Sequence, residues 1–338
     1  MNLNDDQYIL LFECCQLVKG YGRTLLIDFQ RQRLEFLDNE IYSIFTTKNN
    51  VKTIREILND YPEHFKEIIS EYFRFFLKEE YAFLCSKDEI NFFPKLDLTW
   101  DNPAEITNCI IDFDSEPKTL SPYLTLINDL DKLGCENIQI RDFEGISLDF
   151  YHSFLSNFNK TIISKIELLL KYSNNTKQYK EFISQYPRIK ELIIYSSPVN
   201  KIVSLKTPQK LIFTKQNIRN EKDCGIVMPN YFNIRLEHFL ESQHYNTCLN
   251  RKVCIDTQGN IKNCPSLKSN FGNIYHNRIT DIISNKEFTK IWKINKNKIA
   301  GCKDCEFRHI CTDCRAYHKS DFSKKKPFKC TYNPYKLE

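Results

Sequence analysis

Cys302-Lys303-Asp304-Cys305-Glu306-Phe307-Arg308-His309-Ile310-Cys311-Thr312-Asp313-Cys314 places four cysteines in a single short run. Each Cys-x2-Cys pair brings two sulfurs to one side of a tight turn, the usual way for a chain to offer two thiolates to one metal or cluster. Upstream stand Cys248, Cys254 and Cys264, and downstream Cys330. Together they make eight thiols, the number that two four-thiolate clusters require. Gly259, in the stretch Asp256-Thr257-Gln258-Gly259-Asn260, reads as a hairpin turn that presents Cys264. Two structural zinc ions would use the same eight ligands. The short gap between the two Cys-x2-Cys pairs is unlike zinc-ribbon spacing. The expected cofactors are therefore two [4Fe–4S] clusters, with two zinc ions as the alternative.

The other six of the 14 cysteines are scattered: Cys14, Cys15, Cys85, Cys109, Cys135 and Cys224. The first five sit in or beside apolar segments and read as small buried hydrophobes. Cys224 precedes Gly225 and is read the same way, with a redox role as the alternative. Asp5 and Asp6 make the N-terminus acidic where a signal peptide is basic. No apolar run is long enough to span a bilayer. A cytoplasmic protein is expected, in which so many cysteines point to metal or catalysis rather than disulfides. The formal charge of +5 over 338 residues does not mark a nucleic-acid binder.

Outward from the cysteines, the chain reads as an α/β protein in three parts. In residues 1–88, apolar stretches at 9–12, 25–29 and 34–37 predict a small antiparallel sheet. Val51, Ile54, Ile57 and Leu58 share a helix face that Asn50 could cap. Phe65, Ile68, Ile69, Tyr72, Phe73, Phe76 and Leu77 mark a second, strongly amphipathic helix. A short strand at 81–84 completes a winged-helix module. This segment holds 11 Lys/Arg against 15 Asp/Glu, so its long helix is a poor partner for phosphates. Residues 104–240 alternate strand and helix. Strands are predicted to start near Asn108, Asn137, Lys165, Ile189 and Leu211, with helices over 119–133, 148–158 and 177–185. That is the rhythm of parallel βα units. Five or six units make a partial barrel or open sheet. Residues 241–338 hold the eight cysteines.

The order of elements in residues 8–86 resembles the peptide-recognition domain of ribosomal-peptide modification enzymes, in which a leader peptide adds a strand to the small sheet. The cysteine pattern resembles the SPASM domain that follows radical S-adenosylmethionine barrels. That resemblance implies two auxiliary clusters, one on Cys248, Cys254, Cys264 and Cys314, the other on Cys302, Cys305, Cys311 and Cys330. The family has three residues between its last two central ligands where this chain has Thr312-Asp313, so the resemblance leaves the partition of Cys314 and Cys330 open.

No Cys-x3-Cys-x2-Cys triple occurs anywhere in the chain. Cys109, near the first barrel strand, has no partner at that spacing, and Arg141-Asp142-Phe143-Glu144-Gly145 stands where a glycine-rich cofactor turn would lie. No residues are assigned to S-adenosylmethionine, and the barrel reads as degenerate. The segments Cys15-Gln16-Leu17-Val18-Lys19-Gly20 and Asp28-Phe29-Gln30-Arg31, the strand at 106–112 and the C-terminal cysteines together resemble the SPASM-domain peptide maturases of grasp-with-spasm systems. This implies a precursor peptide and an ATP-grasp ligase as partners. Catalytic residues are not identifiable, so maturase, non-catalytic scaffold or adaptor, and zinc-stabilised binding protein all remain open. His238 and His244 read as helix-surface residues. Asp142 and Glu144 follow the second strand, where α/β folds build sites, and read as solvated carboxylates or ligands for an amine or cation.

Overall fold

The computed structural model describes residues 4–46, 52–174, 176–225, 227–318 and 323–336. The N-terminal part runs β1 (Tyr8–Leu11), β2 (Cys15–Lys19), β3 (Thr24–Asp28), β4 (Arg33–Leu37), α1 (Asn39–Thr46), α2 (Ile54–Asn59), α3 (Glu63–Lys78) and β5 (Ala82–Cys85). The three-stranded sheet is the meander β2-β3-β4, and β1 pairs instead with β5. The apolar stretch at 9–12 therefore does not join the sheet. A tight turn closed by the Cys15 N–H on the Phe12 carbonyl (2.8 Å) reverses the chain after β1, and the Phe12 N–H then binds the Tyr81 carbonyl.

Helix α2 starts at Ile54 under a capping box formed by Thr53 and Glu56. Asn50, the expected cap, lies outside the described residues. On α3, Ile69, Phe73 and Phe76 are buried against Ile9, Leu26 and Ile54. Phe65 and Ile68, read as part of that face, stay 46% and 47% exposed, because the first turns of the helix overhang the core.

The larger sheet has eight strands. In chain order come β6 (Asn108–Phe113), α4 (Ser121–Lys132), β7 (Asn137–Asp142), α5 (Leu148–Leu155), β8 (Lys165–Lys171), α6 (Thr176–Gln185), β9 (Ile189–Tyr195), β10 (Lys201–Val203), β11 (Lys210–Phe213), α7 (Leu236–His244), β12 (Lys252–Ile255) and β13 (Ile261–Lys262). Their spatial order is β10-β11-β9-β8-β7-β6-β12-β13. Strands β6, β7, β8, β9 and β11 are parallel and follow one another in one direction. Helices α4, α5 and α6 share one core with a single face of these strands. Beneath it Phe113 packs edge to face on Phe150 and Phe154 and tilted against Tyr123. Strand β12, from the cysteine-rich segment, pairs in parallel with β6, so the sheet continues past residue 240.

The face away from these helices mixes apolar side chains such as Leu169 with paired polar ones. Gln139 donates to Glu167 (2.8 Å), Lys210 pairs with Glu191 (2.9 Å), and Arg141 forms a two-pronged pair with Asp112 (2.7 Å each). The Arg141–Asp112 pair is buried, with side chains 7% and 2% exposed. Removing one partner strands a buried charge, whereas replacing both by apolar residues removes the desolvation cost. Arg141→Met is therefore expected to cost about 3–5 kcal/mol in urea unfolding, and the Arg141→Met/Asp112→Leu double variant to recover most of it.

Candidate metal centre

The eight cysteines are all unbridged and gather in two places. The first is built around β12 and β13. Cys254 on β12 is fully buried, with its Sγ 3.3 Å from the Asn263 carbonyl. The Asp256 carboxylate accepts the N–H groups of Gln258 and Asn260 and, with Gly259 at φ +80°, closes the predicted hairpin turn that leads to Cys264. Cys248 is set by Asn246, whose Oδ1 accepts the N–H of Cys248 (3.1 Å) and of Leu249 (2.9 Å). The amide of Asn246 reaches the carbonyls of Ile294 and Asp313. One buried asparagine thus ties the Cys248 turn to the residue before Cys314. Cys248, Cys264 and Cys314 share an apolar cluster with Leu249, Leu267 and Ile291.

The electrostatics describe the same group. Burial, then the charge of Cys248, pushes the Cys264 thiol up to about 11. Burial, then Cys248, pushes Cys314 up to about 12, with Cys264 adding to it. Cys254 is raised by burial and then by Cys264. Thiols held this way are poor free thiolates and require a cation to give up their protons together.

Cys302, Cys305, Cys311 and Cys330 line a separate small cavity with Arg308 and Lys326. Short turns present them: the Cys305 N–H bonds the Cys302 carbonyl (3.0 Å), and the Cys311 N–H bonds that of Phe307 (3.0 Å). Asp313 then takes φ +50°, the left-handed region that few residues other than glycine enter and that aspartate enters more readily than most. It turns Cys314 away from Cys311 toward the first group. The buried ammonium of Lys296 lies 3.2 Å from the Asp313 carboxylate and the guanidinium of Arg315 3.7 Å, fixing the bend. Arg308 Nε is buried and has no hydrogen-bond partner, as expected of a donor facing an anionic group. The thiols present are the donor type an iron–sulfur cluster takes, with Cys248, Cys264 and Cys314 in one cluster of side chains and Cys302, Cys305, Cys311 and Cys330 around one cavity.

Among the described residues, no three of these eight sulfurs lie within 4.8 Å of one another. A tetrahedral zinc site with Zn–S bonds of about 2.3 Å draws its sulfurs to roughly 3.8 Å. A four-iron cube is gripped at its corners and leaves them further apart. Both coordinations draw on the same thiols.

Several other candidates have structural roles. Asp142 accepts the N–H groups of Glu144, Gly145 and Ile146 and makes a turn, and Glu144 is exposed. Cys85, Cys109 and Cys135 are buried as small hydrophobes. Cys14, Cys15 and Asp28 converge within 4.8 Å, but the Asp28 carboxylate is already bonded to the N–H groups of Gln30 and Arg31 and to Arg31 Nε. His244 caps the Leu98 carbonyl. His238 departs from its surface reading: it packs half-buried toward the Cys311 carbonyl (3.4 Å), and burial lowers it to about 4. Cys224 is exposed and lies beside the first group, where its charge reaches Cys264 and Cys314. Asn246, Lys252 and His309 were not singled out from sequence. Only their single-residue identities were visible there, without a spacing to mark them.

The N-terminal sheet rests on the second group. Val18, Leu25, Ile27 and Phe29 form an apolar cluster with Phe239 and Ile310. Arg23 pairs with Glu306 (2.7 Å), and Arg308 donates to the Lys19 carbonyl (2.6 Å). A Cβ on Gly20 would stand 2.8 Å from the Arg23 carbonyl and 3.0 Å from the Glu306 nitrogen, so this approach needs glycine. On the far side, a groove of about 1000 Å³ runs between β1 and β2, lined by Ile9, Leu11, Gln16, Ile44 and Tyr61 among others. Strand β2 ends its sheet and β1 pairs along one side with β5, so the groove runs beside two strand edges.

Residues 247–306 match the SPASM family model, an iron–sulfur cluster-binding domain. The chain therefore carries an iron–sulfur module, and Cys248, Cys254, Cys264, Cys302 and Cys305 fall inside it. A likeness to the crystal structure of Streptococcus suis SuiB bound to precursor peptide SuiA covers 96% of this chain and 100% of that one, at 10% identity and a TM-score of 0.35. At that distance it carries no argument. No curated protein matches. Among the described residues, no helix is long and apolar enough to cross a membrane.

Glu241, behind the first group, accepts from Asn250 (2.9 Å) and is raised to about 7 by burial, with Glu237 adding to the effect and Asn250, Arg251 and Lys252 opposing it. A carboxyl raised on folding favours the folded state below its unfolded value and loses that contribution as pH climbs through the folded one. Thermal unfolding should therefore show stability falling between about pH 5 and pH 8. Glu241→Gln should flatten that slope; an unchanged slope would count against the assignment.

Proposed function

We propose that this chain is the cluster-bearing, peptide-binding component of a ribosomally synthesised peptide maturation system. One [4Fe–4S] cluster would be held by Cys248, Cys254, Cys264 and Cys314, the other by Cys302, Cys305, Cys311 and Cys330. What supports the reading is that Cys248, Cys264 and Cys314 share one cluster of side chains, with Cys254 close to Cys264, while Cys302, Cys305, Cys311 and Cys330 line one cavity. When bound, such clusters supply one-electron chemistry at low potential. The surrounding residues hold the thiols, exclude water from Cys254 and Cys302, and set positive charge beside the sulfurs.

Precursor binding is supported by the groove beside β1 and β2, which suits an extended segment adding main-chain hydrogen bonds to an open strand edge. The ATP-grasp ligase rests on the sequence resemblance. The chain has no cysteine triple for a cofactor-cleaving cluster, and the buried Arg141–Asp112 pair fills the end of β6 and β7. The reading is therefore a partner in maturation rather than a self-sufficient radical enzyme.

Anaerobic purification should give about eight iron and eight sulfide per chain. About two zinc without sulfide would establish the zinc scaffold instead. With dithionite and S-adenosylmethionine, 5′-deoxyadenosine should stay at background. Precursor peptide should slow amide exchange in residues 15–19, and unchanged exchange there would reject the groove. Peptide mass after coexpression separates the two roles: a mass change that needs this chain and its cysteines makes it catalytic, and one that needs only the ligase makes it an adaptor.

A further inference from the structure

Lys252 is the first residue of β12, two positions before Cys254. Its side chain is half-buried and its Nζ lies 3.7 Å from Cys248 Sγ, within reach of an N–H···S hydrogen bond. The nearby Glu241 carboxylate is engaged by Asn250 instead. Arg141 is also close to this group, but its charge is spent on Asp112.

The second group is arranged differently. The Lys296 ammonium is aimed at Asp313 (3.2 Å) and at the Cys311 carbonyl (3.2 Å), not at a sulfur. Of the two lysines, Lys252 is the one that donates to a thiol.

We propose that Lys252 sets the reduction potential of the cluster held by Cys248, Cys254, Cys264 and Cys314, by placing an ammonium against the Cys248 sulfur. Reduction adds one electron, and so one negative charge, to a cluster whose four thiolates already make it anionic. A fixed cation beside a ligand sulfur stabilises the reduced form more than the oxidised one, and hydrogen bonds to the sulfurs act in the same direction. Lys252 touches a ligand rather than a reacting atom, so it is a positioning and tuning residue. The proposal rests on the two-cluster reading above.

The test is a dithionite titration of the full-length, reconstituted protein followed by electron paramagnetic resonance, with iron and sulfide measured on each sample. Cys264→Ser identifies the transition that belongs to the first cluster. In Lys252→Met that transition should move to lower potential, by about a tenfold drop in the equilibrium constant for reduction, or about 59 mV for one electron. The second transition should not move. Lys252→Arg, which keeps the charge, should restore the wild-type potential. Full iron and sulfide with an unmoved first transition in Lys252→Met would overturn the proposal. If Lys252→Met fails to hold its cluster, Lys252→Arg decides: a wild-type transition supports the role of the charge, and loss of the cluster in this variant too overturns it. Wild-type protein that binds no iron and sulfide would instead refute the cluster reading itself.

Discussion

Four residues of parallel pairing between β12 and β6 join the iron–sulfur module to the body of the protein. Strand β12 carries Cys254 and starts at Lys252, so the pairing fixes one thiol and its neighbouring ammonium relative to the large sheet. It also places Cys254 beside Ile110, one strand from the buried Arg141–Asp112 pair. Parallel strands need both faces covered or occupied. Here α4, α5 and α6 cover one face, and paired polar side chains stand among apolar ones on the other. The cysteine module is thus an extension of the sheet, not an appendage on a linker.

Two kinds of information were legible in the sequence to very different degrees. The eight thiols, the hairpin at Gly259 and the βα rhythm were visible because each is encoded locally, by spacing or by period. Strand partners were not. The stretch at 9–12 reads as a sheet strand, and only the turn at Phe12–Cys15 and the packing of α3 divert it to β5. Likewise, nothing near Lys252 announces that residues 252–255 will pair with a strand more than a hundred residues earlier. Asn246 was invisible for the same reason, since its value lies in the carbonyls of Ile294 and Asp313. Phe65 and Ile68 show the opposite error: helical period assigns them to a core that ends before it reaches them.

The division of the thiols turns on a local conformation rather than on a spacing. Cys311 and Cys314 are separated by Thr312-Asp313, and a compact turn would have kept both on one side. Asp313 in the left-handed region sends Cys314 the other way. Such a backbone costs on the order of 1 kcal/mol or more, and Lys296 and Arg315 offset it by enclosing the aspartate. The same buried charges therefore shape the chain and supply positive potential near the second group.

The seat of the N-terminal sheet on the Cys305–Cys311 turn has a consequence for reach. Gly20 lets the backbones touch and Arg23 and Arg308 pin them, so the groove beside β2 stands at a fixed height above the second group of thiols. A peptide anchored in that groove would be measured from a rigid origin. How far its free end extends, and how concentrated it is at any point on the surface, would then follow from the length of its own unanchored segment. If the groove takes a peptide as proposed, the zero of that measure would be set by Gly20.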